Sequence, residues 1–324
     1  MKVKLNRILY AALLVMALSL ALSACGGGQA SVEEVTLKVA LLPIIDSLPM
    51  YVAQQEGLFE KAGVKVELVP VQSAAERDQL IAAEQADGMI NELVSTQLYN
   101  KDQTQVQVVR FARTATPESP MFSILAAGGS GIQSADGLKG VEIGISQGTV
   151  IEYLTDRLLE AQNFSAGEIK TIPVPKIADR MALLGTGELK AAMLPEPLAS
   201  LAVQNGAAVV LDDTSDPEHS YSTIAFRKPV IDQYPGALRA FLAAIEEATA
   251  LINTDPQKYN NLLVEQKVVP APVAGSFQVP MFVTASIPSQ AQWDDVLDWA
   301  KASGLIDKDV SYQDSVTGEF LPKP

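Results

Sequence analysis

The 324-residue chain has one cysteine and one histidine, and only 6% of it is aromatic. A single cysteine, Cys25, excludes a disulfide within the chain. A single histidine, His219, leaves no second imidazole and, beyond residue 25, no thiolate for a soft-metal site. A nucleophile–histidine–acid arrangement would rest wholly on His219, which sits in the polar stretch DDTSDPEHSYS and reads as a solvated loop residue. Basic residues are scarce as well, 24 Lys and Arg against 38 Asp and Glu, a formal charge of −14. Such a surface repels phosphate backbones and excludes nucleic acid as a partner. The glycine-rich AAGGSGIQSADG matches neither a dinucleotide fingerprint nor a P-loop and reads as a surface or hinge-adjacent loop. The acidic run Asp212, Asp213, Asp216 and Glu218 lacks the spacing of a calcium loop and reads as a solvated face. No resident metal or cofactor is expected.

What is present begins with a processing signal. Lys2, Lys4 and Arg7 precede an apolar run from Ile8 to Leu22, and small residues Ser23 and Ala24 follow. Residues 1–24 therefore read as a signal peptide. LSAC, ending at Cys25, resembles the bacterial lipobox, which implies lipid attachment at Cys25 and an anchor on the outer face of the bacterial cell membrane. Residues 25–34 then read as a lipidated flexible tether. Removal of the three basic residues leaves 21 Lys and Arg against 38 Asp and Glu, a formal charge of −17.

Past the tether, strand and helix patterns alternate. TLKVALLP and VKVELVPV read as strands around a helix from Leu48 to Ala62 ending at Gly63. Ser73 and Glu76 open the next helix with a capping-box spacing. DGMINELV and TQVQVVRFA read as two further strands. The alternation restarts near Pro120 with MFSILAAG, VEIGIS, an amphipathic helix carrying Ile151, Leu154, Leu158 and Leu159, then IKTIPVP, LKAAML and AAVVLDD. YSTIAFRKPV reads as a return crossing, and C-terminal helices, one with Trp293, Leu297, Trp299 and Ala300, are expected to cover the first sheet. The pattern predicts an α/β chain with parallel sheets, lobe 1 from 35–120 and 224–324 and lobe 2 from 121–223. Ligands of such sheets gather beyond the carboxyl ends of strands and at domain interfaces. Glu196, between Pro195 and Pro197 after an apolar strand, reads as a carboxylate facing that space.

Four segments carry a resemblance: LPMYVAQQEGLFEKAGVKVELVPV, GLKGVEIGISQGTVIEYLTDRLLEAQNF, ADRMALLGTGELKAAMLPEP and WDDVLDWAKASGLIDKDVSYQDSVTGEFL. In order and spacing they are similar to the substrate-binding component of ABC importers of the nitrate, sulfonate and thiamine-precursor (NMT1/THI5-like) class. The resemblance implies a two-lobed periplasmic-binding-protein fold with a hinge and interdomain cleft, closure on a small-molecule solute, delivery to an ABC permease and its ATPase, and no catalysis. A monomer is expected. The family's aromatic-Glu-Pro turn falls on Leu194–Pro197, keeping Glu196 and losing the aromatic. Its Gly-Ser/Thr turn falls on SQGTV, which makes Gln147 and Thr149 candidates; a plain helix cap is the alternative for Thr149. The loop after the first strand offers Asp46, Ser47 and Tyr51, with helix capping and packing as alternatives. Asn91 and Glu92 stand at another strand end, and Arg110 is either at the next one or in an ion pair. Asp46, Glu92 and Glu196 around one cavity would favour a donor-rich solute, such as a thiamine-type pyrimidine or another nitrogen heterocycle, over a bare oxyanion. Alternatives are a sulfonate or nitrate-type anion, a module presenting solute to a sensor, and an enzyme resembling those of pyrimidine synthesis. Replacing Glu196 is expected to weaken binding and spare folding.

Overall fold

Ten strands assort into two five-stranded sheets in the computed structural model, which describes residues 35–323. The expected signal peptide, the tether and Cys25 lie outside the described residues. The first sheet runs β2 (Lys65–Pro70), β1 (Thr36–Leu41), β3 (Gly88–Asn91), β10 (Tyr221–Arg227), β4 (Val106–Thr114). The second runs β7 (Lys170–Pro173), β6 (Glu142–Ile145), β8 (Ala191–Pro195), β5 (Phe122–Ala126), β9 (Ala208–Asp212). In each sheet the first three strands are parallel, and the fourth runs antiparallel to both neighbours.

The two sheets are copies of one topology, which no fixed period in the sequence announces. The first unit threads β1, α1 (Leu48–Gln55) with α2 (Leu58–Ala62), β2, α3 (Ala74–Ala82), β3, α4 (Leu93–Asn100) and β4. The second threads β6, α5 (Val150–Glu160), β7, α6 (Ile177–Thr186), β8, α7 (Leu198–Gln204) and β9. Each sheet is completed by a strand from outside its unit: β5 enters the second, and β10 returns to the first between β3 and β4.

Local sequence explains most element ends. Ser73 accepts the Glu76 N–H at 3.2 Å; Glu76 reaches back to the N–H of Gln72, at 2.7 Å, rather than to that of the cap. The helix expected across Leu48–Ala62 is two helices, because Gly57 takes φ +67°, a left-handed conformation that interrupts α-helical geometry. The strand expected through DGMINELV stops at Asn91. There the Glu92 carboxylate accepts the Ser95 N–H, at 3.2 and 3.1 Å, and starts α4 instead. Ile151, Leu154, Leu158 and Leu159 of α5 are buried as the helical spacing predicts.

The C-terminal portion contains α8 (Lys228–Gln233), α9 (Pro235–Thr254), α10 (Asn260–Glu265), α11 (Ala271–Ala274), α12 (Gln290–Ala302) and α13 (Tyr312–Ser315). Helix α9 packs on α1 and α2 beside the first sheet. Helix α12 does more than the expected covering of that sheet, because it touches both α4 and α5. Gln97 of α4 donates to the Trp293 carbonyl at 2.9 Å, while Trp299 Nε1 donates to Asp156 of α5 at 2.9 Å. Asp295 pairs with Arg157 at 2.9 Å and accepts the Tyr153 hydroxyl. One apolar cluster runs unbroken from Ala40 and Met89 through Leu93, Trp293 and Trp299 to Leu154, Ile143 and Met193. Among the described residues no helix is long and apolar enough to cross a membrane.

Candidate functional site

The carboxyl ends of strands from both sheets meet at a cavity of about 60 Å³. From the first sheet's side come Leu42, Ile44, Asp46, Arg77, Asn91 and Glu92. From the second come Ser146, Thr149, Val150, Ile177, Arg180 and Pro195. Its wall is apolar with a few polar groups converging on it, which is the usual make-up of a small-ligand site. Beside it lies an open groove of about 600 Å³, whose lining includes Arg113, Ser119, Glu196, Ser200, Gln204 and Phe277.

Asp46 and Arg113 stand between the two spaces. Asp46 is 3% exposed, its Oδ1 lies 3.7 Å from Arg113 Nη1, and its Oδ2 has no hydrogen-bond partner. Burial raises the Asp46 pKa, opposed by the Arg113 charge. Arg113 Nη2 donates to Ser119 Oγ at 3.0 Å and the Pro120 carbonyl at 2.8 Å, and burial lowers its pKa.

Glu92 combines two roles. It caps α4 and lines the cavity, and burial pushes its pKa up to about 7 against the pull of Arg77. Next to it, Asn91 Nδ2 donates to Thr96 Oγ1 at 3.0 Å, which leaves Oδ1 buried with no partner. Thr149 caps α5: its hydroxyl accepts the Ile151 N–H at 3.2 Å and donates to the Ser146 carbonyl at 2.8 Å. The Gly148 N–H is taken by Glu152, at 2.7 Å, so the turn is less free for a ligand than SQGTV suggests.

The remaining sequence candidates fall elsewhere. Ser47 is buried and donates to the Leu42 carbonyl at 2.9 Å, bracing the loop that carries Asp46. Tyr51 is buried and does not line the cavity. Gln147 is exposed and lines neither space. Glu196 lines the open groove, where its Oε2 accepts from Ser200 Oγ at 2.8 Å; the three carboxylates expected around one cavity are therefore divided two and one. Burial raises the Glu196 pKa, opposed by those Ser200 bonds. Arg110 resolves as an ion pair with Glu246 of α9, at 2.8 Å.

Two readings of the acidic loop need correction. Asp213 is wholly buried, not solvated: it accepts the Met121 N–H at 3.0 Å, the Phe122 N–H at 3.0 Å and the Ser220 hydroxyl, tying together the two segments that pass between the sheets. His219 is not simply solvated either, with Nδ1 2.9 Å from Asp216 and Nε2 3.7 Å from Asp295 of α12. Despite that proximity His219 Nδ1 has no hydrogen-bond partner.

Sequence reasoning missed Arg77 and Arg180, both wholly buried and both lining the cavity. Each is the fourth residue of the helix before the third strand of its unit. Arg77 donates to the carbonyl of Ile90, at 3.3 Å, and Arg180 to that of Met193, at 2.7 Å, each thirteen residues on. The signal was present in AAER and IADR, a repeated acid–arginine pair at one helical offset.

Comparisons with known proteins agree with this architecture. Residues 44–259 match the family described as NMT1/THI5 like. A Bacillus subtilis protein provisionally assigned to aliphatic-sulfonate binding is 23% identical over 325 residues, 96% of this chain and 95% of that one. The alkanesulfonate-binding protein SsuA from Xanthomonas axonopodis pv. citri, solved bound to MOPS, superposes with a TM-score of 0.74 at 16% identity, covering 87% of this chain and 98% of that one. The desulfurization enzyme DSZB also superposes, with a TM-score of 0.69 at 14% identity over 88% of this chain and 97% of its own. The chain belongs to the NMT1/THI5-like family.

Proposed function

We propose that this subunit captures a small organic solute in the cavity between the two sheets, by closure of two lobes, and hands it unchanged to a permease and its ATPase. In this reading the lobes are 35–120 with 224–324 and 121–223, except that residues 221–223 go with β10 to the first sheet, and the hinge is at the segments that Asp213 stitches together. Contacts made only when both strand-end sets meet would favour the closed form. Asp46, Asn91, Glu92 and Thr149 form the wall, Ser47 and Tyr51 support it from behind, and Glu196 guards the adjoining groove. The carrying observation is that the unpartnered Asp46 Oδ2 and Asn91 Oδ1 both belong to residues lining this one cavity. Buried acceptors of that kind call for donors on the ligand, such as the N–H groups of an amine or a nitrogen heterocycle. A lipid on Cys25 would hold the monomeric body at the outer face of the cell membrane.

Native mass spectrometry of freshly purified protein tests this reading. A retained small molecule is expected in the wild type, absent from Val150→Trp, which fills the cavity, and depleted in Asp46→Asn. Retention by Val150→Trp sinks the pocket assignment. An enzymatic reading draws support from the DSZB likeness, but the one histidine, His219, lines neither space. Recovery of the retained molecule chemically altered after incubation would favour that reading over capture.

A further inference from the structure

Arg77 and Arg180 hold equivalent positions, but their charges are treated differently. Arg77 Nε donates to Asp78 at 2.8 Å, Nη1 to the Ile90 carbonyl and Nη2 to Ser95 Oγ at 2.9 Å, and Glu92 adds a second nearby negative charge. Its guanidinium is neutralised and each nitrogen is engaged. Arg180 Nε donates to the Met193 carbonyl and Nη1 to the Val174 carbonyl, both at 2.7 Å, while Nη2 has no partner. Among the described residues no carboxylate lies within ion-pair distance of it, and burial alone displaces its pKa, down to about 10. It therefore stays charged at neutral pH. The Gly144 backbone packs closely beside it: a Cβ there would stand 2.6 Å from Leu189 Cδ1 and 3.3 Å from Arg180 Cγ.

A buried, uncompensated cation is costly, and structures retain one where a further anion completes it. The two carbonyls hold Nε and Nη1 of this cavity-lining residue and leave Nη2 buried without a partner. We propose that Arg180 is the specificity-determining residue of the pocket, seating an anionic oxo head group of the solute, carboxylate or sulfonate. The opposite end of the same solute supplies donors to Asp46 Oδ2 and Asn91 Oδ1, so the preferred ligand is a compact molecule bearing an anion at one end and an N–H donor at the other. This inference rests on the pocket assignment above and adds to it the sign and placement of the solute's charge.

Four probes separate the possibilities by thermal shift and calorimetry on the full-length protein: 2-aminoethanesulfonate, β-alanine, ethanesulfonate and ethanolamine. The first two are expected to bind best, and the preference between them tells sulfonate from carboxylate. Ethanolamine, which lacks the anion, is expected to bind at least tenfold more weakly. Arg180→Met is expected to abolish that preference, lowering affinity for the better amphoteric probe on the order of 100-fold, while Arg180→Lys keeps part of it. A merely structural arginine would make Arg180→Met melt lower; the proposal expects the ligand-free variant to melt at or above the wild type, because an unpaired buried charge has been removed. Equal binding of ethanolamine, unchanged affinity in Arg180→Met, a lowered melt, or no binding of any of the four by the wild type each overturns the proposal. Where binding is lost in Val150→Trp but untouched in Arg180→Met, only the charge inference falls; where it survives both, the pocket assignment falls too.

Discussion

Set side by side, the two sheets have the same strand order, the same strand directions and an arginine at the same helical position, and they differ in how that arginine is balanced. In the first unit, Asp78 and Glu92 surround Arg77 with negative charge. In the second, the acidic residue one place before the arginine, Asp179, makes no such pair, and the matching carboxylate, Glu196, is turned to the open groove. Duplicated topology thus does not duplicate electrostatics. One copy of the arginine is committed to holding its own unit together, and the other is left with capacity to spare at the cavity wall.

The sharpest way to break this comparison is to remove both arginines in turn. Arg77→Met leaves the buried Glu92 without its cationic neighbour and Ser95 Oγ without its donor, and is expected to destabilise by about 3 kcal/mol or more in urea unfolding. Equal losses from Arg77→Met and Arg180→Met would erase the distinction.

Glu92 gives the next largest effect. Its folded pKa of about 7 exceeds the ordinary 4.5 of an exposed glutamate, so the folded state binds more protons between those values. Stability should therefore fall as pH rises from about 4.5 to 7, by roughly 3 kcal/mol from this group alone. In Glu92→Gln the slope should flatten, whereas Glu196→Gln, on the more open side, should change it less. Denaturant midpoints at pH 5 and pH 7.5 check both variants.

Asp295→Ala removes the acceptor that Arg157 and Tyr153 of α5 share with α12, and should cost on the order of 1–2 kcal/mol. A loss confined to this α12–α5 contact leaves Trp293 and its Gln97 bond intact, which amide exchange in α4 and α5 would resolve. The smallest change expected is from Thr149→Ala, about 1 kcal/mol through loss of the α5 cap. A large loss of solute binding with no change in stability would instead return Thr149 to a direct ligand role.

Local chemistry was legible in the sequence wherever a residue acts through its own neighbours. The alternation that gives the strands, the Ser73 cap, the buried face of α5 and the stop at Gly63 all depend on contacts within a few residues. Asp46, Asn91, Glu92 and Thr149 follow strands of the two sheets and line one cavity, a grouping readable from sequence because parallel sheets put those strand ends on one edge. Hidden from sequence were facts set by distant partners. Whether Glu196 shares a cavity with Asp46 depends on how the two sheets are arranged, which no local pattern states. Whether Asp213 is solvated depends on the amides of Met121 and Phe122, and the value of Arg180 lies in a carboxylate that is missing. An arginine in an amphipathic helix ordinarily reads as surface, so nothing in IADRMALLG alone marks it as wholly buried.

The return of β10 between β3 and β4 also bears on how the molecule comes into being. Until Tyr221–Arg227 have been made, the first three strands and β4 face each other across an unfilled gap, with unsatisfied edges on either side. The amino-terminal half therefore has no finished fold to adopt while the whole second unit is being synthesised. Such long-range closure slows folding and lengthens exposure to aggregation. A fragment ending before β10 should be insoluble, and the rate of refolding should be governed by the insertion of that one strand.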